Sequence, residues 1–322
     1  ASFVRNYDTS AGWIDVRNAT LILNDITFGA GDKDCIEMYQ NNARLSLRPG
    51  MEKPVRLKLS DVTVAGFAIT PTEGSFRAED AMMLTVDPKS VIEGSPANAD
   101  YAFYLDPDDG AIRLARKAAT ADELKAALEK ASTDASKPTH ILLTADITVP
   151  EPTSGDATYT LDGNLHAVID GGADGHKLTR EGTKSIFQVM NGASLRLTRL
   201  TMDGQQTDGN ELITVGAAGN YTGEVTLGSG FRLTGAQAAN PSDVNGIQVY
   251  GTLVMEDGAE ITGNGEGSAV NIKAEGTLHL KGGKISGNTV YSLSLSAAYL
   301  AGALQGKATV TVDNALPAGS AF

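Results

Sequence analysis

The sequence predicts an all-β solenoid, and three observations predict it. A stretch is written twice: Ile14-Asp15-Val16-Arg17-Asn18-Ala19-Thr20-Leu21-Ile22-Leu23-Asn24-Asp25-Ile26-Thr27-Phe28-Gly29 returns as Phe187-Gln188-Val189-Met190-Asn191-Gly192-Ala193-Ser194-Leu195-Arg196-Leu197-Thr198-Arg199-Leu200-Thr201-Met202-Asp203-Gly204. Each copy reads as two short alternating strands joined by a polar turn, a unit that buries its apolar edge only against a stacked neighbour. An array of similar units follows, closing on Phe231-Arg232-Leu233-Thr234-Gly235, Glu260-Ile261-Thr262-Gly263-Asn264 and Lys284-Ile285-Ser286-Gly287-Asn288. The closing glycines at 204, 235, 263 and 287 lie 31, 28 and 24 residues apart, within the roughly 20 to 50 typical of solenoid coils. Gly and Asn at these ends supply the positive φ of a sharp corner, and stacked Asn side chains are placed to hydrogen-bond between coils.

Taken in order, residues 1–50 read as the terminal coils of an upstream solenoid; Ser2-Phe3-Val4 already reads as strand interior. Residues 51–117 read as a small all-β module. Its runs Val55-Arg56-Leu57-Lys58-Leu59, Phe67-Ala68-Ile69 and Met83-Leu84-Thr85-Val86 lead to a hairpin, Tyr101-Ala102-Phe103-Tyr104-Leu105 against Ala111-Ile112-Arg113-Leu114-Ala115. The turn Asp106-Pro107-Asp108-Asp109-Gly110 joins them. Residues 118–290 read as a helix-capped solenoid: Thr120-Ala121-Asp122-Glu123 is a capping box, and Leu124, Ala127, Leu128 and Ala131 share one helical face. Such a helix plugs the exposed end of a stack. The runs 140–144, 158–161 and 167–171 are expected to form its first coil. Later coils carry three strands, as in Ile247-Gln248-Val249-Tyr250, Thr252-Leu253-Val254-Met255 and Glu260-Ile261-Thr262, with Ile247, Val249, Leu253 and Met255 inward. Residues 291–322 read as a final coil and the start of a second module. Leu57-Lys58-Leu59-Ser60-Asp61 with Ala65-Gly66 matches Val310-Thr311-Val312-Asp313-Asn314 with Ala318-Gly319, at an offset of 253. A segment of a longer tandem-repeat chain is therefore expected.

Composition narrows the function classes. The 39 acidic and 26 basic residues give a net charge of -13, which disfavours nucleic acid and anionic membrane. No apolar run approaches the roughly 18 residues of a membrane span, so membrane insertion is not expected. Cys35 is the single cysteine, so no intrachain disulfide and no Cys-based zinc site can form.

Several features resemble a family. The helix 123–131 followed by Ile141-Leu142-Leu143-Thr144-Ala145-Asp146-Ile147-Thr148, the strand Leu161-Asp162-Gly163-Asn164-Leu165-His166-Ala167-Val168-Ile169-Asp170-Gly171, and Gly282-Gly283-Lys284-Ile285-Ser286-Gly287-Asn288 are similar to secreted bacterial right-handed parallel β-helix proteins of the pectin-lyase-like class. The resemblance is greatest to the large repetitive adhesin-like surface proteins of gut bacteria. It covers residues 120–289 well and residues 2–47 less well. It implies a right-handed parallel β-helix with a short N-terminal capping helix, displayed extracellularly at a bacterial cell surface, with glycans or host surface proteins as partners.

The same fold class holds lyases and hydrolases, so catalysis has to be read residue by residue. Hydrolysis needs carboxylates converging at about 5 Å or roughly 6.5 to 9.5 Å. Asp162, Asp170, Asp203 and Asp257 are available, but each precedes Gly, the composition of a turn. A lyase needs a calcium site and a base; Arg180, Lys184 and Arg196 are nominal candidates, and Arg196 and Arg199 alternate with Leu195, Leu197 and Leu200 as outward strand residues do. The family's hydrolase pattern of paired aspartates and Gly-His-Gly is missing, since Gly175-His176-Lys177 does not complete it. His140, His166, His176 and His279 are too scattered to suggest a metal. The 106–110 turn lacks the ligand spacing of an EF-hand. Leu316-Pro317-Ala318-Gly319-Ser320 is similar to a sortase signal but lacks its Thr and any apolar tail. Asn18-Ala19-Thr20 and Asn220-Tyr221-Thr222 are glycosylation sequons by pattern alone. Trp13, Tyr101, Phe103 and Tyr104 are the aromatic candidates for a sugar platform, with Tyr101, Phe103 and Leu105 reading as one core face.

No catalytic, cofactor-binding or metal-binding residue is assigned. The expectation is a non-catalytic display rod presenting weak binding loops at 204–210 and 237–244. The alternatives are a β-helix polysaccharide lyase or glycoside hydrolase, and a self-assembling surface filament subunit.

Overall fold

The computed structural model describes residues 13–17, 20–23, 35–40, 43–52, 54–96, 100–240, 243–289, 293–295 and 309–310. The run Ser2-Phe3-Val4, the sortase-like 316–320 and most of the second 253-offset repeat lie outside them. The chain divides into two compact units, Ala1–Lys117 and Ala118–Phe322. Both are built as a β-solenoid of parallel stacked sheets, the all-β class read from the repeats.

In the first unit, Trp13–Arg17, Cys35–Tyr39 and Val55–Val62 pair in parallel, with Ile14 on Ile36 on Leu57 and Val16 on Met38 on Leu59. Thr20–Leu23, Arg44–Leu47 and Ala68–Pro71 pair likewise, with Leu21 on Leu45 on Ile69. Each consecutive pair of strands is one coil. The hairpin is present: Tyr101–Leu105 runs antiparallel to Ile112–Ala118, which in turn pairs with Ala68–Pro71 through Ile112 and Ile69. Residues on both sides of position 50 share these sheets and one apolar cluster running from Val16 to Leu114. A short helix, Ala78–Met82, is fixed by buried Asp80, whose carboxylate accepts the backbone N–H groups of Gly50 at 2.7 Å, Met51 at 3.0 Å and Arg77 at 2.8 Å.

The second unit opens on the helix Ala121–Leu128. Thr120 Oγ1 accepts the Glu123 N–H at 3.2 Å, while the Glu123 carboxylate accepts the N–H of Ala119 at 2.7 Å, one residue earlier than a standard capping box. Leu124, Ala127 and Leu128 are buried in the same cluster as the first-coil residues Ile147, Val149, Tyr159 and Leu161. The Tyr159 hydroxyl donates to the Ala121 carbonyl at 3.1 Å. This is the plug expected over the end of a stack.

Three parallel sheets follow, and each coil contributes one strand to each. Sheet I contains Thr139–Leu143, His166–Asp170, Ser194–Thr198, Glu224–Leu227, Thr252–Met255 and Thr277–Leu280. Sheet II contains Ile147–Val149, Lys177–Arg180, Thr201–Asp208, Arg232–Gln237, Glu260–Thr262, Lys284–Ser286 and Thr309–Val310. Sheet III contains Ala157–Leu161, Ser185–Val189, Ile213–Val215, Val244–Val249, Ser268–Ile272 and Ser294–Leu295. The first coil is corrected accordingly. His166–Asp170 pairs onto Thr139–Leu143, so the run 167–171 opens the second coil, and Ile147–Val149 supplies the strand missing from the first.

Like stacks on like inside. Tyr159, Phe187, Ile213, Ile247 and Val270 form one inward column, and Ile147, Leu178, Met202, Leu233, Ile261 and Ile285 another. Ile247, Val249, Leu253 and Met255 are fully buried, as their alternation requires. Closing Gly235, Gly263 and Gly287 have φ of 66°, 68° and 66°. Gly204 does not. There the register shifts between Asp203 and Thr207, and Gln205 and Gln206 take the left-handed region instead. The expected Asn stack is present at one corner: Asn264 Nδ2 donates to Asn288 Oδ1 at 2.8 Å, and Asn264 Oδ1 accepts the Ala236 N–H at 3.0 Å.

The corner between sheets III and I is held by close approach. A Cβ on Gly251 would fall onto the Gly223 carbonyl oxygen, one on Gly223 onto the Val189 carbonyl, and one on Gly276 onto the Val249 carbonyl. Gly251→Ala must therefore push neighbouring coils apart; the expected cost is about 1–3 kcal/mol, read as a lowered urea midpoint, and an unchanged midpoint would show that the corner yields freely.

In the first unit, Glu37 is buried beside Lys58 Nζ at 2.7 Å and accepts the Ser60 hydroxyl at 2.8 Å. Burial pushes its carboxyl up, but hydrogen bonds from Lys58, Ser60 and Tyr39 together with the Lys58 charge outweigh it and hold the group below its ordinary 4.5. Because the folded value is depressed, the stabilisation is full above pH 4.5 and is lost as pH falls through the folded value. Denaturation midpoints between pH 7 and 3 should decline less steeply in Glu37→Gln than in the native chain over this window; parallel profiles would refute the assignment.

Candidate functional site

The structure gives each carboxylate candidate a different setting. Asp170 ends its sheet I strand with no exposure and is paired with Arg199, Nε to Oδ1 at 2.9 Å and Nη2 to Oδ2 at 2.8 Å, while Oδ1 also accepts the Gly172 N–H at 2.7 Å. Asp203 lies on sheet II, accepting the Gln205 N–H at 2.8 Å, with Lys177 Nζ at 3.5 Å. Asp162 follows the first sheet III strand and accepts from the Gly163 N–H and the Asn191 side chain. Asp257 is exposed in the turn after Thr252–Met255. Its register position is three coils beyond that of Gly171, next to Asp170, about 14 Å at the spacing of a sheet. The four are dispersed among coils.

The basic candidates are equally engaged. Lys184 pairs with Asp156 at 3.3 Å and Arg196 with Glu256 at 2.7 Å. Arg180 is buried; its guanidinium donates to the carbonyls of Thr207 and Asn210, both at 2.6 Å, and burial pulls its pKa down. It thereby holds the 204–210 loop, one of the two loops singled out from the sequence. Gln237, at the start of the other, donates to Asp208 Oδ1 at 2.9 Å.

His166 Nδ1 lies 2.7 Å from Ser194 Oγ, and His176 Nδ1 lies 3.4 Å from Asp146. His140 and His279 share one outward row of sheet I, with Val168, Arg196, Thr226 and Val254 between them. Among the described residues no three His, Cys, Asp or Glu side chains are grouped to hold a metal. In the 106–110 turn, Asp106 accepts the Asp108 N–H at 3.1 Å and Asp109 accepts the Ala111 N–H at 2.9 Å, with Arg113 reaching both carboxylates. Burial, and the neighbouring Asp109 and Asp108 charges, raise the Asp106 pKa against the pull of its backbone hydrogen bond and Arg113. Asn220, of the second sequon, places its side-chain nitrogen on Asn191 and its Oδ1 against the Thr222 hydroxyl at 2.9 Å.

Of the aromatic candidates, Phe103 and Tyr104 are buried, and Tyr101 packs against the first unit's core, with Arg116 5.5 Å from its ring centroid. The side chain of Trp13 lies outside the described residues. Two other tyrosines lie nearer the surface, Tyr221 exposed and Tyr250 half-buried. One row of sheet III is Thr160, Gln188, Thr214, Gln248 and Asn271, all uncharged amides and hydroxyls; Thr160 is exposed, Gln188 and Gln248 are half-buried, and Thr214 and Asn271 are buried. Beside it, half-buried Glu211 accepts the Thr214 hydroxyl at 2.5 Å and the Gln248 side-chain amide at 3.4 Å.

Tyr250 lies two residues beyond Gln248, just past the end of the strand Val244–Val249, its N–H bonded to the Val215 carbonyl at 2.7 Å. A Cβ on Gly216 would meet the Asn220 carbonyl oxygen at 2.9 Å and Tyr250 Cβ at 3.2 Å, so the bare glycine lets the turn carrying Tyr221 close against Tyr250. Tyr221 is 45% exposed. Burial, then the Glu211 carboxylate and the Tyr221 phenol, raise the Tyr250 pKa, which places the three groups within electrostatic reach. Neutral hydrogen-bonding groups beside two tyrosines suit a polar ligand with an apolar face. Sequence reading missed this corner because residues 211, 214, 221, 248 and 250 become neighbours only through inter-coil register.

No protein-family model, curated protein or solved structure matches the chain.

Asp170 separates a structural role from a chemical one. Asp170→Ala leaves the Arg199 guanidinium without its buried carboxylate and should destabilise the second unit by about 3–5 kcal/mol; a native melting profile would show that the pair does not hold the coil.

Proposed function

We propose that this chain is a non-catalytic, glycan-binding stretch of an extracellular, adhesin-like repeat protein displayed on a bacterial cell surface, built on the pectin-lyase-like variety of parallel β-helix. The observation that carries the reading is the uncharged row Thr160, Gln188, Thr214, Gln248 and Asn271, flanked by Tyr250 and exposed Tyr221. Sugars present hydroxyls on their edges and C–H groups on their faces; amides and hydroxyls meet the first and tyrosine rings the second. Thr160, Gln188 and Gln248 are the members of this row that reach the surface, on successive and alternate coils, which suits a ligand longer than one sugar. A charge of -13 favours uncharged or cationic partners.

The lyase or hydrolase reading has less support, because Asp162, Asp170, Asp203, Arg180, Lys184 and Arg196 are each engaged with local partners. A panel of glycans and host glycoproteins, with release of reducing and unsaturated sugars followed in the same wells, tests both. Binding without turnover is expected. Turnover, or failure to bind any member of the panel, overturns the proposal.

A further inference from the structure

We infer that the Tyr221–Tyr250 corner takes an amino sugar, a hexosamine with a free amine, whose ammonium group lies against Glu211. This rests on the glycan-binding reading and narrows it.

The first unit supplies an internal comparison. Ile36-Glu37-Met38-Tyr39 and Ile247-Gln248-Val249-Tyr250 follow the same pattern, the tyrosine closing the first strand and lying just past the second. At the first corner the chain supplies its own cations. The Arg17 guanidinium lies over the Tyr39 ring, 3.9 Å from its centroid, and Lys58 Nζ is 2.7 Å from the outward carboxylate, Glu37. An aromatic face and a carboxylate together thus receive positive charge.

The second corner also offers rings and a carboxylate, but Gln248 stands where Glu37 does, the carboxylate is Glu211 beside it, and Lys273 follows Tyr250 one coil on in the register. Tyr250 and Tyr221 supply the rings. The Glu211 carboxylate is contacted directly by neutral donors, the Thr214 hydroxyl and the Gln248 amide. Among the described residues no ammonium or guanidinium forms an ion pair with it. Arg180 feels its charge, but the guanidinium donates to the carbonyls of Thr207 and Asn210. Glu211 is only half-buried, so a ligand can reach it.

An ammonium group satisfies these acceptors at once, through charge on Glu211 and through the negative faces of the tyrosine rings. The rest of the sugar then meets the row already described, hydroxyls on the Gln248 and Gln188 amides and C–H face on Tyr221. An N-acetylated sugar forfeits the charge term, and a uronate is repelled by both Glu211 and the net charge of the chain.

The test is calorimetric titration of the whole chain at pH 6 and low salt with three oligosaccharides: β-linked glucosamine, its N-acetylated counterpart, and galacturonate. The glucosamine oligomer should bind tightest, weaken with added salt, and lose about five-fold in affinity in Glu211→Gln, the effect of one partly exposed charge pair. The N-acetylated oligomer should bind more weakly and be indifferent to Glu211→Gln. Tyr221→Ala, at an exposed turn position, should weaken both without lowering the melting temperature.

If Glu211→Gln and Tyr221→Ala leave glucosamine binding intact, the attraction is general to the acidic chain and the inference falls. If the N-acetylated oligomer binds as tightly as the free amine, through Tyr221 but independently of Glu211, the amino-sugar assignment falls while the glycan reading stands. If no sugar binds here or in the wider panel, both fall.

Discussion

Parallel, in-register hydrogen bonding between coils sets the terms for everything else in this chain. From the second coil on, strands of the second unit lie on those one coil earlier at about 4.8 Å, so that outside the bulges residue stands on residue. Inside, this forces columns of similar volume, as in Tyr159, Phe187, Ile213, Ile247 and Val270. At the corners it brings backbones so close that Gly223, Gly251 and Gly276 have no room for a side chain. The amphipathic helix packs Leu124, Ala127 and Leu128 into the same apolar cluster as Ile147, Val149, Tyr159 and Leu161 of the first coil.

Several polar groups enter the interior where stacking lets them satisfy one another, while buried Asn245, like Arg180, donates to loop carbonyls, those of Gly265 and Glu266. Asn264 on Asn288 is the simplest case, an amide passing its hydrogen bond to the same amide one coil away. Asp170 with Arg199 closes a pair between adjacent coils, and the Gly172 N–H takes up one of the remaining lone pairs. Arg180 is a guanidinium at the register position that Val149 fills one coil earlier. It is tolerated because the bulge after Asp203 turns two carbonyls toward it. The loop supplies the acceptors that the buried charge needs.

The sequence carries the fold in features that recur at each coil and conceals those that depend on register. Alternation places Ile247, Val249, Leu253 and Met255 correctly because inward residues are apolar in every coil. The helix is legible from its cap and its face, both local signals. Gly204 reads wrongly as a positive-φ corner because its sequence context matches Gly235 and Gly263, while the bulge that displaces the turn onto Gln205 and Gln206 leaves no local trace. The second coil merges with the first on the page because Ile147-Thr148-Val149 is too short for its alternation to stand out. Tyr221 and Tyr250 belong to different coils, joined by a glycine whose significance lies in what approaches it. Loops of unequal length hide that relation from any reading along the chain.

The same constraint frees the outer surface to vary. An outward residue touches its neighbours in the row and the solvent, so exchanging it leaves the inward columns undisturbed. The two units use this freedom differently at equivalent corners: Glu37 and Tyr39 are answered by Lys58 and Arg17, whereas Glu211 and Tyr250 have only neutral side chains in direct contact with the carboxylate. A binding corner, as proposed, is one whose carboxylate is left to meet a ligand's cation. On the proposed reading a single such corner binds weakly, because one partly exposed charge and two rings contribute little. Repetition of such a corner along a longer chain would convert weak binding into avidity through effective concentration. Selection then acts on the number and spacing of corners more than on the affinity of any one, and no catalytic constellation is required for the chain to be useful.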